Sequence, residues 1–378
     1  MKKIRLGDVA TYVNGYAFKP ADRGNKGLPI IRIQDLTGNA YDLGFYDGAY
    51  PKQIEINNGD ILISWSASLG VYIWNQGKAL LNQHIFKVVF DKAEINKCYF
   101  VYAVKYNLNA MKSKAHGATM KHIVKKEFDN MLIPYPSLEE QEKIAVILSK
   151  VSQIIEQCQQ ALDKLDEIIK ARFVEMFGDP RINPKGYDIV PISSLFDVGS
   201  SKRVFESDWR EAGVPFYRAR EIVKLSRDGY VDNELFIEES MYEAYKEKYG
   251  VPKAGDMMVT GVGTLGVCYI VKETDRFYFK DGNTLWFKNK GLCDVRFIKE
   301  QYDTDFVKEQ ITANANVSTV GTYTITNANN TLVLIPPLEE QEQYVEFCKQ
   351  TDKSKVAVQK ALDEAQLLFD SLMQQYFG

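Results

Sequence analysis

The clearest pattern of apolar and polar positions lies between Ser137 and Gly178, where Ile144, Leu148, Val151, Ile155, Cys158, Leu162, Leu165 and Ile169 alternate steps of four and three. That spacing draws one apolar seam along a helix, as in a coiled coil. Ser137 and Glu140 make a capping box, the early glutamates suit the positive end of the helix dipole, and Gly178 followed by Pro180 supplies the stop. A helix of about 40 residues at about 1.5 Å each is a rod of about 60 Å.

The stretch returns 200 residues later, from Pro337 to Gly378. Glu139, Glu140, Gln141 and Glu142 recur as Glu339, Glu340, Gln341 and Glu342, and Phe177 with Gly178 as Phe377 with Gly378. An internal repeat of this kind governs the reading of everything else. The second copy carries Thr351 and Lys355 in its seam, so its C-terminal half, with Leu362, Phe369, Leu372 and Tyr376, is expected to pack best. Each helix is the natural partner of the other. Because the first ends where a second globular segment begins, and the second leaves that segment, the pair must run antiparallel.

The segments before the two helices share a plan. In residues 1 to 136, short β-branched and aromatic runs at 28 to 33, 59 to 65, 70 to 74, 84 to 90 and 131 to 134 predict strands, and 98 to 112 predicts a helix with an aromatic face. In residues 179 to 336 the frame recurs: Gly27, Pro29 and Arg32 correspond to Gly213, Pro215 and Arg218, and Gly59, Asp60 and Gly70 to Gly255, Asp256 and Gly266. The expected fold is α+β, with two similar mixed domains (1 to 136 and 179 to 336) joined by two helical spacers (137 to 178 and 337 to 378). Two domains of one frame on a rigid spacer suit a repetitive partner read twice, and DNA is the obvious one; a duplicated protein scaffold fits the architecture equally.

Composition narrows this. With 45% hydrophobic and 12% aromatic residues there is ample core. No stretch approaches about 18 uninterrupted apolar residues and no signal peptide is evident, so a cytoplasmic protein is expected. The five cysteines, at 98, 158, 268, 293 and 348, lack metal-site spacing. A net charge of −3 argues against coating nucleic acid through bulk positive charge, so any such site must be local.

Local candidates exist. Residues 111 to 126 hold five lysines and two histidines without an acid, among them Lys112, Lys114, Lys121 and His122 around Thr119, a composition that can neutralise phosphates or cap a solvated helix. The counterpart at 311 to 330 is rich in Asn, Thr and Tyr, including Thr319, Thr322 and Tyr323. Alternation puts Arg32 and Gln34 on one face, and Arg218 and Arg220 likewise; these can read base edges, or an Arg beside an acid can form a structural ion pair. GVGTLG at 261 to 266 matches a dinucleotide fingerprint in letters only, because VCYIV after it predicts a strand where a helix is needed. Neither a Walker A sequence nor a convincing nuclease constellation is present, and IPPL at 335 to 338 is not the catalytic loop of amino-methyltransferases.

The HGATMKH loop, the strand ending IPYPSLEEQEKI and its echo IPPLEEQEQY, all within a 200-residue duplication, closely resemble the DNA specificity subunit of type I restriction and modification systems. The second domain departs from the pattern, with VSTVGT in place of HGATMK. The resemblance implies target recognition domains that each read one half of an asymmetric bipartite DNA site, with the helices setting the spacer. It implies no catalysis in this chain: two methyltransferase subunits would bring S-adenosylmethionine, and restriction subunits would bring ATP and Mg. The repeated residues Glu139, Glu140, Gln141, Glu339, Glu340 and Gln341 are expected to bind those partners. A protein-only scaffold and a self-contained methyltransferase are the competing classes.

Overall fold

A computed structural model describes residues 2–39, 42–114, 124–315 and 321–378, without the side chains of 112–114, 314 and 315. Two continuous helices, Leu138–Phe177 and Leu338–Phe377, each span 40 residues. The rest packs as two units. The first comprises Met1–Gln160 with Val358–Gly378, and the second Ala161–Ala357, so each unit takes half of each long helix.

In the first unit an antiparallel sheet orders Thr11–Asn14, Ile85–Val89, Ile61–Ser64 and Gly70–Ile73. A second sheet orders Gly44–Tyr46, Leu28–Ile31, Ala79–Leu81 and Glu55–Ile56, with its central pair parallel. The strand Lys3–Arg5 pairs with Leu132–Pro134, which leads directly into the first long helix. The second unit repeats this plan with one strand fewer: Phe196–Gly199, Thr284–Asn289, Met257–Thr260 and Cys268–Ile270 form one sheet, and Phe236–Ile237, Val214–Tyr217 and Tyr278–Phe279 a three-stranded second one. Its Asp188–Pro191 pairs with Leu332–Ile335 ahead of the second long helix. The strand at Cys268–Ile270 stands where a dinucleotide site needs a helix, as its sequence predicts.

The residues shared by the two domains hold this frame. Gly27 (φ +94°) and Gly213 (φ +134°) pass so close to the neighbouring strand that an added Cβ would lie 2.0 Å from the Tyr46 carbonyl oxygen and 2.3 Å from that of Ile237. Asp60 and Asp256 close equivalent turns by accepting from the backbone N–H of Asn57 at 2.8 Å and of Lys253 at 2.9 Å. Such positions are fixed by backbone geometry, while the side chains facing outward are free to differ.

The predicted seam forms. Ile144, Leu148, Val151 and Ile169 are buried, and Ile155, Cys158, Leu162 and Leu165 are half-buried. The gradient follows the domains: Ile144, Leu148 and Val151 pack into the core of the first and Ile169 into that of the second. In the first unit the end of the second helix brings Phe377 to 5.2 Å from Tyr99 and Phe369 to 6.0 Å from Tyr102, ring to ring. In the second, Phe173, Phe177 and Phe297 surround Tyr344 at 5.6 to 5.9 Å. Each domain therefore holds the start of one helix and the end of the other, which makes the pair antiparallel. Packing is not best in the C-terminal half of the second helix, as its sequence suggests. Tyr344, Val345 and Cys348 are at least as buried as Phe369 and Met373, because a whole domain covers them. The polar Lys355 is accommodated by an ion pair with Asp166 at 2.6 Å.

The repeated glutamines are clamps between helix and domain. Gln141 accepts from the Asn96 N–H at 3.0 Å and donates to the Pro136 carbonyl at 3.0 Å; Gln341 does the same with Asp294 at 3.0 Å and Pro336 at 2.8 Å. Gln341→Ala leaves a buried N–H and a buried carbonyl without partners, and is expected to cost about 1–3 kcal/mol of stability. Chemical unfolding of this variant beside Glu342→Ala, at an exposed position one residue on, measures the difference. Equal midpoints would show that the clamp contributes nothing.

Candidate nucleic-acid interface

Arg32 and Arg218 are not strand residues reaching outward. Each ends its strand and caps a helix, Ile33–Leu36 and Ala219–Asp228 respectively, which breaks the alternation that would pair Arg32 with Gln34 and Arg218 with Arg220. Their N–H groups donate to Asp35 at 2.8 Å and to Glu221 at 2.9 Å, and their guanidiniums turn onto the same carboxylates at 3.1 Å and 3.0 Å. Arg32 also donates to the Asp42 carbonyl. Burial alone would raise the Glu221 carboxyl, yet bonds from Arg218 and Arg220 hold it below its ordinary value. Of the two readings open for these arginines, the ion pair is what forms. Arg220, half of its side chain exposed, bridges Glu221 and Glu234; Gln34 is exposed.

Tyr323 is a correction of a different kind. Its hydroxyl lies within the core, 3.1 Å from the Tyr302 hydroxyl and 2.6 Å from that of Thr331, and burial pushes it up to about 12. A side chain 1% exposed does not reach a duplex. Thr322 beside it is half-buried in a loop. Lys112 and Lys114 fall in the last turn of the helix Lys97–Lys114, with side chains outside the described set. Thr119, Lys121, His122 and Thr319 lie outside the described residues.

The partner candidates divide as well. Gln141 and Gln341 are buried clamps and present no side chain outward. Glu139 is exposed and pairs along its helix with Lys143 at 2.6 Å; Glu140 and Glu339 are exposed, and Glu340 accepts from the Tyr187 hydroxyl at 2.7 Å. The helices also carry apolar residues away from the seam. Ile147 and Ile154 are exposed one heptad apart in the first unit, as is Ile168 in the second, and Leu367 and Leu368 are exposed on the second helix.

Sequence reasoning also missed a corner that both domains build. In the second, the loop after Phe196–Gly199 meets the loop between Tyr278–Phe279 and Thr284–Asn289 around a cavity of about 360 Å³ lined by Arg203, Phe205, Trp209, Lys280, Asp281 and Asn283. Arg203 pairs with Asp281 at 3.0 Å, and the Lys280 ammonium lies 5.9 Å from the centre of the Trp209 ring. In the first domain the matching loops meet through the bridge Tyr16–Asn82 and a bond from the Gln83 N–H to the Tyr16 carbonyl, while Arg23 reaches Asp42 at 3.0 Å. Mixed donors, acceptors and aromatic rings at one corner are the chemistry of base-edge contact. Among the described residues, no group of three or more His, Cys, Asp or Glu side chains is placed to hold a metal ion, and no helix is long and apolar enough to cross a membrane.

The chain is similar in sequence to the specificity subunit of the type I restriction enzyme EcoBI of Escherichia coli, 24% identical over 98% of this chain and 83% of that protein. It is 25% identical to the MjaVIII specificity subunit of Methanocaldococcus jannaschii, over 95% and 89% of the two chains. In fold it resembles the S subunit of the type I restriction-modification system from M. genitalium, with a TM-score of 0.60 at 14% identity over 100% of this chain and 96% of that one. A chain from a structure concerned with complex assembly and conformational transition of the type I R-M system gives 0.57 at 14% identity, covering 99% and 97%. The family described as the type I restriction modification DNA specificity domain matches residues 1–167 and again 184–365, once for each copy of the duplicated plan, and the chain belongs to that family.

Proposed function

We propose that this chain is the DNA-reading subunit of a type I restriction-modification complex, in which each domain recognises one half of an asymmetric bipartite site and the paired helices fix the unread spacer. The observation that carries this reading is a backbone frame repeated twice with different outward side chains, so that one docking geometry presents two chemistries. The basic segment around Lys112, Lys114, Lys121 and His122 supplies phosphate contacts that position the duplex without reading it, and Thr119, Thr319, Thr322, Gln34 and Arg220 stay candidates for DNA contact. Two methyltransferase subunits dock on the helices near Glu139 and Glu140 in the first unit, where Ile147 and Ile154 are exposed, and near Glu339 and Glu340 in the second. Those subunits bring S-adenosylmethionine, restriction subunits bring ATP and Mg, and the chain works in the cytoplasm as reader and ruler.

Purified alone with S-adenosylmethionine and duplex DNA, the chain is expected to transfer no methyl group, whereas addition of the methyltransferase subunits yields adenine methylation at a single motif. Methyl transfer by the chain alone would assign it the chemistry itself. A complex that assembles but shows no preference among duplex sequences would leave only a scaffold.

A further inference from the structure

Superficially unrelated in sequence, the loops 14–24 and 200–210 are the same structure. Lys19 (φ −80°, ψ 159°) and Phe205 (φ −84°, ψ 159°) each cap a one-turn 3-10 helix, Pro20–Asp22 and Glu206–Asp208. The N–H of each donates to the aspartate three residues on, Asp22 at 2.7 Å and Asp208 at 3.1 Å. Arg23 and Trp209 end these turns, and the next residues, Gly24 and Arg210, bridge the edge strand at Phe45 and Phe236. The facing loops correspond too. The His84 carbonyl accepts from the Trp65 N–H and the Asn283 carbonyl from the Gly261 N–H, at matching places in the two sheets.

Seven buried side-chain polar atoms find no hydrogen-bond partner among the described residues, and four of them belong to these loops: Nε of Arg23, whose other guanidinium nitrogen reaches Asp42 at 3.0 Å, Oδ1 of Asn82 and Nδ1 of His84 in the first domain, and Nε1 of Trp209 in the second. Buried polar groups are satisfied as a rule, so four of seven orphans falling in the corresponding loop pairs of the two domains point to loops completed by something else. His84 adds a left-handed backbone, φ +72°, of the sort held at contact sites. Phe205 presents a ring 62% exposed at the rim of the cavity. At the equivalent position the exposed Lys19 presents a cation.

We propose that these loop pairs, 14–23 with 82–84 and 200–209 with 280–283, are the surfaces by which the two domains touch base edges in the major groove, and that Lys19 and Phe205 occupy one discriminating position in two versions. The inference rests on the chain being the DNA-reading subunit. The chemistry at that position differs in a defined way. A lysine ammonium donates to the O6 and N7 acceptors of guanine, whereas a phenyl ring packs on the thymine methyl. Around Phe205, Lys280 and Asp281 offer a donor and an acceptor to the adjoining base pairs, and the Trp209 indole N–H gains a partner. Arg32 and Arg218, committed to their caps, position the strands and read nothing.

The test uses the complex of this chain with its methyltransferase subunits, offered synthetic duplexes randomised at every position of both half-sites. Phe205→Lys is expected to move preference at one base of the half-site read by residues 179–336 from thymine to guanine, by about 5- to 150-fold, the range of one good base contact. Lys19→Phe makes the converse change in the other half-site. Phe205→Ala, which removes only an exposed ring, should make that base indifferent and guards against a fault specific to lysine. Active variants with unaltered motifs would overturn the assignment, and so would a change in both half-sites from one substitution. A wild-type complex that selects no sequence would instead remove the reading on which the inference rests.

Discussion

Adding four residues to each long helix at matching levels, near Gln159 and near Gln359, is expected to lengthen the unread spacer of the DNA site by one or two base pairs while both half-sites stay the same. These points lie at the border between the two units, where both helices pass from one to the other. Four residues add about 6 Å of helix, and base pairs are spaced about 3.4 Å apart. Translation alone gives the larger value, while the twist of DNA, which carries the second half-site around the axis, favours the smaller. A four-residue insertion is a stutter that coiled coils absorb by local unwinding. The half-buried middle of the seam, at Cys158 and Leu162, tolerates this better than the aromatic clusters at Phe177 and Tyr344 would. Mapping methylated adenines in cells that carry the insertion variant checks it. An active variant that keeps the original spacing would show that something other than the helices sets the distance.

The helices were legible because a heptad seam is a strong periodic signal carried by single residues, from Ile144 to Ile169, and because its repetition 200 residues on fixed the topology. The frame glycines and aspartates were legible as a repeat, although their reasons, a close backbone approach at Gly27 and a turn at Asp60, needed coordinates. Contacts between elements distant in sequence were not. A glutamine in a polar run reads as surface, yet Gln141 and Gln341 are buried because the chain turns back over them to bring up Asn96 and Asp294. Tyr323 lay in a run of polar residues and still belongs to the core, since its hydroxyl finds Tyr302 and Thr331. Arg32 looked like a strand residue because nothing local shows that the strand stops at Ile31 and a helix turn starts. The equivalence of Lys19 and Phe205 leaves one letter in common, the aspartate three residues on at Asp22 and Asp208, too little to see without the backbone geometry.

Exchange of residues 179–336 for the matching domain of a relative with a different recognition site should replace one half of the methylated motif and leave the other half and the spacer untouched. The domain has its own core, from Phe196 and Phe216 to Phe287, and it meets the ends of both helices through residues of the repeated stretches, Phe177 and Tyr344 among them. An incoming domain that keeps the counterpart of Phe297 and an N–H at the Asp294 position therefore finds the same seat, including the Gln341 clamp. The effect is large because every contact to one half-site changes at once, and each mismatched base pair costs about 1–3 kcal/mol. Sequencing adenine methylation across the genome of cells with the native and the exchanged chain is the most direct measurement of whether two domains read separately. Two motifs that share one half-site and the spacer are expected; motifs differing in both halves, or an unchanged motif from an assembled and active complex, would show that the domains do not read separately.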